Sequence, residues 1–266
     1  MKATYMARCF LIILVFLLSM SCKENPDILS ISIQDDEALG RLVATEIENS
    51  PATYPLLSRT SFGGAYAYAD NLMQEILASE EIIHRDDFSW EINIIDDVDV
   101  LDLFALPGGR IYIYTGLVYF LDKEDDLAGA LAHEIAHCDQ RHITKQLQNS
   151  FNIATLLAIA SESDTSSLGD LRQQLSGISG NFQLAESSER EADDLSVRYL
   201  AGTLLACDGG RDFFEKLSAN AETRQPRYLE KHPDANRRIQ HIEESVNRIG
   251  CSSIPDNSSV QRYLAF

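Results

Sequence analysis

Apolar residues recur at helical spacing in the middle of the chain, from Asp122 to about Gln146. The repeat consists of Leu127, Leu131, Ile135 and Cys138, which stand four, four and three residues apart and therefore share one side of a helix. Asp122 suits the N-cap, the first turn is acidic, and no proline interrupts the run. The pattern predicts one long helix that packs its apolar side against a core.

Shorter patterns on both sides of this helix predict more helices and a little β-structure. The chain to about Ser79 is typical of helices, and the β-branched and aromatic residues between Trp90 and Thr115 predict a pair of strands. Further helices are predicted around Phe151 to Ala160, from Gln183 to Leu204, and towards the C-terminus. The predicted fold class is therefore mainly α, of the α+β type, with a small β-sheet or hairpin next to the central helix.

The segment from Ser161 to Gly180 is rich in serine and glycine and predicts a mobile connection between two helices. A loop of this length is either a lid over a cleft or a passive linker, and the sequence favours neither.

The chain is acidic, with a formal net charge of −19. Nucleic acid and anionic membrane surfaces are poor partners for such a chain. Cys138 falls on the packed side of the central helix and is expected to be a core residue. Cys207 and Cys251 could pair in an oxidising compartment, but the sequence does not show whether their Cα atoms come within bonding range, so both states stay open.

The N-terminus has the pattern of a secretory signal, because Lys2 and Arg8 precede an apolar run, Cys9 to Leu18, that is short for a membrane span. The sequence Leu-Ser-Met-Ser-Cys ending at Cys22 resembles a loose bacterial lipobox, with Ser19 where leucine is usual. We therefore expect a lipoprotein signal peptide at 1–21, a tether at 22–38, a folded domain at 39–250 and a tail at 251–266. A free secreted or signal-anchored protein is the alternative.

The central helix also carries the pattern His-Glu-x-x-His. At about 100° per residue, His133 and His137 lie about 40° apart, so both imidazoles can reach one tetrahedral zinc ion. Glu134 lies beside them, where a carboxylate can serve as a general base. His142 would fall on the apolar side of the same helix and is expected to be a structural, hydrogen-bonded histidine. The pattern predicts one Zn²⁺ per chain; the alternative is two ordinary histidines on an amphipathic helix.

A catalytic zinc needs a third protein ligand and an open position for water. Glu189 and Asp193 stand four residues apart in Glu-Arg-Glu-Ala-Asp and share one face of a predicted helix. One carboxylate could bind the metal while the other fixes a ligand imidazole through its second nitrogen. From spacing alone, an ordinary solvated charged face is an equal alternative.

Four blocks of residues together resemble peptidase family M48, the zinc metalloproteases of the HtpX and CAAX prenyl endopeptidase type. They are Asp102 to Gly116 with its Pro-Gly-Gly turn, His133 to His142, Glu189 to Asp193, and His232-Pro233 followed by Arg238-Ile239. The family includes bacterial lipoproteins, which this chain resembles most. Asp102 stands where the family usually has asparagine, and Ala185-Glu186 replaces its usual Ser-Arg, but neither change touches a ligand.

The resemblance implies a zincin-like domain that hydrolyses peptide bonds, with His133, His137 and Glu189 as zinc ligands. It implies that Glu134 takes a proton from the attacking water and passes it to the leaving amine. It also places His232 at the site, either as a donor to the oxyanion or as a residue that occupies the zinc in a resting enzyme. A simple turn before a proline is the alternative for His232.

We expect unfolded or misfolded envelope proteins as substrates and envelope assembly machinery as a partner. The lipobox is followed by Lys23 rather than by the aspartate associated with inner-membrane retention, which predicts an outer-membrane lipoprotein that faces the periplasm. The strand Arg110, Ile111, Tyr112, Ile113 and Tyr114 could bind such substrates if it lies at the edge of the sheet, because an extended peptide could add to it. A strand paired on both sides is the alternative. The rival function is a non-catalytic envelope chaperone or assembly factor, against which the intact Glu134 argues; another zinc hydrolase, such as an amidase, is a lesser alternative.

Overall fold

Helices make up most of the chain and surround a three-stranded β-sheet. The computed structural model describes residues 30–176, 182–220 and 226–251. The strands are β1 (Glu91–Ile95), β2 (Leu103–Leu106) and β3 (Arg110–Tyr114). The helices are α1 (Ile33–Glu48), α2 (Gly63–Leu77), α3 (Thr115–Phe120), α4 (Glu124–Asp139), α5 (His142–Ser150), α6 (Ile153–Ala160), α7 (Leu168–Leu175), α8 (Glu186–Leu200), α9 (Gly209–Asn220), α10 (Arg227–Lys231) and α11 (Ala235–Ile249). The predicted fold class, mainly α with a small sheet, is confirmed.

The first helix begins inside the segment that the sequence analysis assigned to the tether. Ser32 caps α1, because its hydroxyl accepts a hydrogen bond from the Asp35 N–H at 3.1 Å and its own N–H donates to the Asp35 carboxylate at 2.7 Å. The predicted tether, 22–38, is therefore too long at its C-terminal end. Cys22 lies outside the described residues, and its lipidation stays a prediction. Among the helices of the described ranges, none combines the length and the apolar character that crossing a membrane requires.

The predicted long central helix is two helices, which corrects the sequence analysis. Helix α4 begins at Glu124 rather than after a cap at Asp122, and it ends at Asp139. Arg141 then adopts a left-handed conformation, with φ of 56°, and turns the chain into α5. Long-range contacts hold this turn, since Arg141 donates to the Asp36 carboxylate at 2.6 Å and to the backbone carbonyl of Ile31. A local apolar pattern does not contain these contacts.

Helix α4 is the centre of the molecule, and all 16 of its residues are buried. It packs against α8, α9 and β2. Two glycines allow the α9 contact, because a Cβ at Gly129 would lie 2.0 Å from the backbone nitrogen of Gly210, and a Cβ at Gly209 would lie 2.0 Å from the carbonyl oxygen of Asp125. The whole circumference of this helix is therefore enclosed by the fold, including the face that carries His133 and His137.

Strand β3 lies in the middle of the sheet, which has the order β1-β3-β2. It pairs in parallel with β1, with Ile92 opposite Ile111, and antiparallel with β2, with Phe104 opposite Tyr112. The predicted edge strand is thus paired on both sides, and β2 is an edge. The error arose because the parallel partner β1 comes from earlier in the chain, and residue alternation does not reveal pairing.

The outer edge of β2 follows from its hydrogen bonds. The N–H groups of Tyr114 and Gly109 donate to the carbonyls of Asp102 and Leu106, at 3.1 and 3.4 Å, so these carbonyls face β3. In an antiparallel pair, the backbone groups of successive residues point alternately towards the partner strand and away from it, so those of Phe104 also face β3. The peptide groups of Leu103 and Ala105 therefore point away from the sheet.

The segment predicted to be a mobile connection contains α7, whose Leu171 and Leu175 are buried. This helix packs against α1 and β2. The description of the whole segment as a loop is corrected, because the spacing of Leu168, Leu171 and Leu175 allows a helix to bury one apolar face. Gly177 and Gly180 lie outside the described residues.

Two cysteines join the end of α11 to the loop before α9. Cys207 and Cys251 form a disulfide, with their Cα atoms 6.4 Å apart. This settles the state that the sequence left open. Cys138 is a free, buried thiol, and its predicted place in the core is confirmed.

Candidate metal centre

Four buried side chains from distant parts of the chain converge at the centre of the fold. They are His133 and His137 on α4, Glu189 on α8, and His232 directly after α10, and their ligand atoms all lie within 4.8 Å of one another. The Nε2 atoms of the two α4 histidines are 2.7 Å apart. The two carboxylate oxygens of Glu189 lie 3.5 Å from Nε2 of His133 and 3.7 Å from Nε2 of His137. The structure thus brings together the three ligands that the sequence predicted.

The chemistry of this set fits one zinc ion. Imidazole nitrogens and a carboxylate oxygen are the ligands that zinc prefers, and three of them with a fourth position is the arrangement of a catalytic site. Burial, together with the neighbouring His133, lowers the pKa of His137 well below its ordinary value. A neutral imidazole with a free lone pair is the form that binds a metal.

Glu134 lies beside the ligand set and next to His232. Nε2 of His232 is 3.2 Å from Oε1 of Glu134, and Nδ1 of His232 is 3.1 Å from both oxygens of Glu189. Burial alone would lower the pKa of His232, but the two carboxylates outweigh it and raise the pKa to about 9. Burial would raise the pKa of Glu134, but the charge of His232 outweighs it and lowers the pKa. His232 therefore lies in the site, between Glu134 and Glu189, although it also stands in a turn before a proline.

Asp193 stands behind His133, where its Oδ1 is 3.4 Å from the His133 Nδ1. Arg238, on α11, donates to Asp193 through Nε at 2.6 Å and through a terminal nitrogen at 2.5 Å. The same guanidinium contacts Glu189 and lies over the ring of Phe214, 4.8 Å from its centroid. Burial would raise the pKa of Asp193, but Arg238 holds it well below its usual range.

The role of Arg238 was missed by the sequence analysis, which noted this residue only as part of a motif. It is fully buried, with 2% of its surface exposed. A signal was present in the sequence, because two carboxylates that enter a core need a buried cation. The pair Glu189 and Asp193 therefore required a partner, but nothing local to either residue identified it.

His142 was predicted to be a structural, hydrogen-bonded histidine on the far side of the zinc helix. It is hydrogen-bonded, but the break at Arg141 places it on α5 and against the site. Its Nδ1 is 3.1 Å from Nδ1 of His137, and its Nε2 is 3.1 Å from a carboxylate oxygen of Glu191. The expected separation of His142 from the site is thus wrong, although His142 is not a member of the ligand set.

A narrow cleft of about 20 Å³ leads to Glu134 and His232. This is room for about one water molecule. The cleft is lined by three apolar side chains. Leu175 is the last residue of α7, and Phe182 and Leu184 come shortly before α8. Of the predicted connection from Ser161 to Gly180, Leu175 lies against the cleft, and the choice between a lid and a passive linker stays a prediction.

The predicted substrate strand does not reach this cleft. Residues Ile111, Tyr112, Ile113 and Tyr114 are buried in the core, and Arg110 lies 3.5 Å from Glu37 on α1. Phe104 and Ala105 of β2 line the cleft instead. Strand β3 therefore offers no free edge to a peptide, and β2 is the strand that borders the cleft.

Asp102, which departs from the family pattern, is fully buried at the start of β2. Its Oδ2 accepts from the Nζ of Lys231 at 3.0 Å, and Arg227 lies 3.5 Å away. Burial raises the pKa of Asp102 although both cations oppose it. Lys231 also approaches the outward-facing carbonyl of Leu103, at 3.5 Å, and thus places a cation at the outer edge of β2.

A helix that presents two histidines and a carboxylate to a third ligand from a neighbouring helix is the arrangement of a metal-dependent hydrolase. The sequence model of Peptidase family M48 matches residues 67–246, which is more than half of the chain. The chain belongs to this family, and the resemblance stated from its motifs is confirmed.

Several relatives carry protease names. The chain is 28% identical over 184 residues to the mitochondrial metalloendopeptidase OMA1 of Schizosaccharomyces pombe, covering 66% of this chain and 52% of that protein. It is 23% identical over 233 residues to the beta-barrel assembly-enhancing protease of Yersinia pestis, covering 83% and 46%. For the protein of that name from Escherichia coli the identity is 27% over 178 residues, covering 63% and 36%. The chain thus spans about half, or less, of the length of these relatives.

Proposed function

We propose that this chain is a zinc-dependent endopeptidase that cleaves unfolded or misfolded proteins of the bacterial cell envelope. The observation that carries the proposal is the convergence of His133, His137 and Glu189 on one point, with Glu134 directly beside them. This set has the composition of a catalytic zinc site, and the relatives include proteins named as metalloendopeptidases.

A bound zinc ion would polarise the peptide carbonyl and acidify a water molecule. Glu134 then takes the proton from the attacking water, because its lowered pKa keeps it a carboxylate that can accept one. It returns the proton to the leaving amine as the peptide bond breaks. Arg238 and Asp193 hold Glu189 and His133 in place, so the geometry is set before the substrate arrives.

His232 has two roles in the proposal, and they belong to different states of the enzyme. As the fourth member of the ligand set it would help to hold a zinc ion in the resting enzyme. When a substrate is bound, a protonated His232 beside Glu134 is placed to donate a hydrogen bond to the oxyanion of the transition state. The Glu189 and Glu134 carboxylates raise the pKa of His232, which favours its protonated form.

The substrate is proposed to add to the outer edge of β2 as an extended peptide. The backbone groups of Leu103 and Ala105 face away from the sheet, and Ala105 lines the same cleft as Glu134. Main-chain hydrogen bonds to a strand edge select for extended segments rather than for a particular sequence, which favours unfolded chains. Leu175, Phe182 and Leu184 must move aside before such a segment can enter.

The proposal also includes the location of the protein in the cell. The signal-like N-terminus and the lipobox at Cys22 favour an outer-membrane lipoprotein that faces the periplasm. An oxidising compartment agrees with the disulfide between Cys207 and Cys251. The bacterial relatives are named as beta-barrel assembly-enhancing proteases, which favours a link with envelope assembly machinery.

Substitution of the general base tests this function. The Glu134→Gln chain should fold and bind one zinc ion, but its kcat/KM on casein should fall by about 10²- to 10⁴-fold. Zinc content is measured by metal analysis, and casein cleavage is followed with and without a chelator. Glu244→Gln is the matched control, because this glutamate is exposed on α11, and its activity should equal that of the unaltered chain.

Two results would contradict the proposal. Equal casein cleavage by Glu134→Gln and the unaltered chain would refute the assigned base. Purified protein that carries no zinc and takes none up would refute the metal site. Prevention of aggregation without cleavage, unchanged in Glu134→Gln, would favour the rival chaperone function.

A further inference from the structure

We infer that His142 and Glu191 are positioning residues that orient the zinc ligand His137 through a continuous chain of hydrogen bonds. The inference rests on the zinc site of the proposed function and adds two residues to it. The chain runs from Nδ1 of His137 to Nδ1 of His142 over 3.1 Å, and from Nε2 of His142 to Oε2 of Glu191 over 3.1 Å.

The direction of these hydrogen bonds is fixed by the metal. Nε2 of His137 faces Nε2 of His133 and Glu189, so this nitrogen must offer its lone pair to the ion. The neutral His137 then carries its proton on Nδ1 and donates it to Nδ1 of His142. That nitrogen accepts only if the proton of His142 is on Nε2, from which it donates to the Glu191 carboxylate. One tautomer of each ring satisfies the whole chain.

This arrangement completes the support of the two α4 ligands. His133 has its outer partner in Asp193, whose Oδ1 lies 3.4 Å from the second ring nitrogen. Within the described ranges, no carboxylate lies against the second ring nitrogen of His137. His142 instead links that nitrogen to Glu191 on α8. An acceptor at that nitrogen fixes ring orientation and raises the basicity of the ligand.

The left-handed turn at Arg141 is what delivers His142 to this position. Had α4 continued as a regular helix, His142 would have pointed about 180° away from His133. Instead it begins α5 and is buried against the ring of His137, with ring centroids 5.2 Å apart. The Glu191 side chain, by contrast, is 53% exposed, so the core does not need it for packing.

Zinc affinity distinguishes a positioning role from a merely structural one. Glu191→Ala removes the terminal acceptor from an exposed position, and His142→Leu removes the whole link. We expect the zinc dissociation constant to rise about 10-fold in the first and by up to about 100-fold in the second. Glu191→Gln keeps an acceptor oxygen and should restore most of the affinity, which a charge effect alone would not allow.

The measurement is a competition for zinc between the full chain and a chromophoric chelator, with thermal unfolding of each metal-free protein as the check on folding. Glu244→Ala, another exposed glutamate, is the control and should leave the dissociation constant unchanged. If His142→Leu fails to fold, Glu191→Ala decides the question alone.

Unchanged zinc affinity in Glu191→Ala, while the unaltered chain binds zinc and cleaves casein, would overturn the inference and leave the proposed function standing. Failure of the unaltered chain to bind zinc would overturn both. A loss of affinity in Glu191→Ala that Glu191→Gln does not reverse would also count against the hydrogen-bond chain.

Discussion

Buried charged groups in this protein depend on neighbours of opposite charge. Asp193 has Arg238, and Asp102 has Lys231 and Arg227. Asp126, in the first turn of α4, is a contrast, because it is 3% exposed and its Oδ1 has no hydrogen-bond partner among the described residues. Burial raises its pKa from 3.8 to about 6, although Lys123 opposes the shift.

The raised pKa of Asp126 makes stability depend on pH with a definite sign. The folded state binds the Asp126 proton more tightly than the unfolded chain does. The contribution of this proton to the free energy of unfolding is therefore fully present below pH 3.8 and is lost as the pH rises through about 6. Asp126→Asn cannot ionise and should be more stable than the unaltered chain at pH 8 by about 2 kcal/mol, after allowing for the lost attraction of the helix N-terminus. At pH 4 the two should be nearly equal.

Urea unfolding at pH 4 and pH 8 measures this difference. Asp86→Asn is the control, because the Asp86 side chain is 92% exposed and should show no gain at either pH. A gain for Asp126→Asn that is the same at both pH values would contradict the assignment.

At this scale the sequence shows what lies within one helix turn and little beyond it. His133, Glu134 and His137 share a helix, so their mutual placement follows from the helical period. Glu189 needed the added information of the family motif. The links from Arg238 to Asp193 and from His142 to Glu191 join residues on different helices, and no local pattern encodes such contacts.

Among the secondary-structure elements, close contact between the backbones of α4 and α9 determines the position of the zinc helix. Gly129 on α4 is fitted against Gly209 and Gly210 of α9, with no room for a methyl group. Gly129→Ala should lower the free energy of unfolding by about 3 kcal/mol, because backbone atoms rather than flexible side chains would have to move. Chemical denaturation measures the loss.

Gly169 is the matched control for this substitution. It lies in α7, and a Cβ there would meet nothing within 4 Å. Gly169→Ala should therefore raise the stability by about 0.5–1 kcal/mol, as expected for a glycine in a helix. Equal effects of the two alanines would show that α4 and α9 do not need this close approach.

The existence of the helices was predictable, but their ends and neighbours were not. The apolar repeat from Leu127 to Cys138 correctly predicted a helix over these residues, because the repeat is a local property of the sequence. The break at Arg141 depends on Asp36, and the central place of β3 depends on β1. Each is a contact between segments far apart in the chain. The local pattern of apolar residues does not depend on such a contact and therefore cannot predict it.

On the scale of the whole molecule, the C-terminal part of the chain adds two residues to the site that α4 and α8 begin. His232 directly follows α10 and Arg238 lies in α11, and both residues stand between the two cysteines of the disulfide in the sequence. The loop at Cys207 is itself tied to the zinc helix, because the N–H of Ala206 donates to Asp125 at 2.7 Å. The disulfide thus closes a unit that contains one member of the ligand set and the arginine behind two others.

The disulfide should be a major source of stability. It joins residues 44 apart in the sequence, and a loop of that size corresponds to about 4 kcal/mol from the reduced entropy of the unfolded chain. Replacing both Cys207 and Cys251 by alanine, or reducing the unaltered chain with dithiothreitol, should lower the free energy of unfolding by about 2–4 kcal/mol in urea. The two treatments should agree, because Cys138 is a free thiol in the core and contributes no cross-link. Dithiothreitol should have no effect on the double variant, and an unfolding midpoint that survives reduction unchanged would show that packing of α11 against α8 and α9 suffices to hold Arg238 at the site.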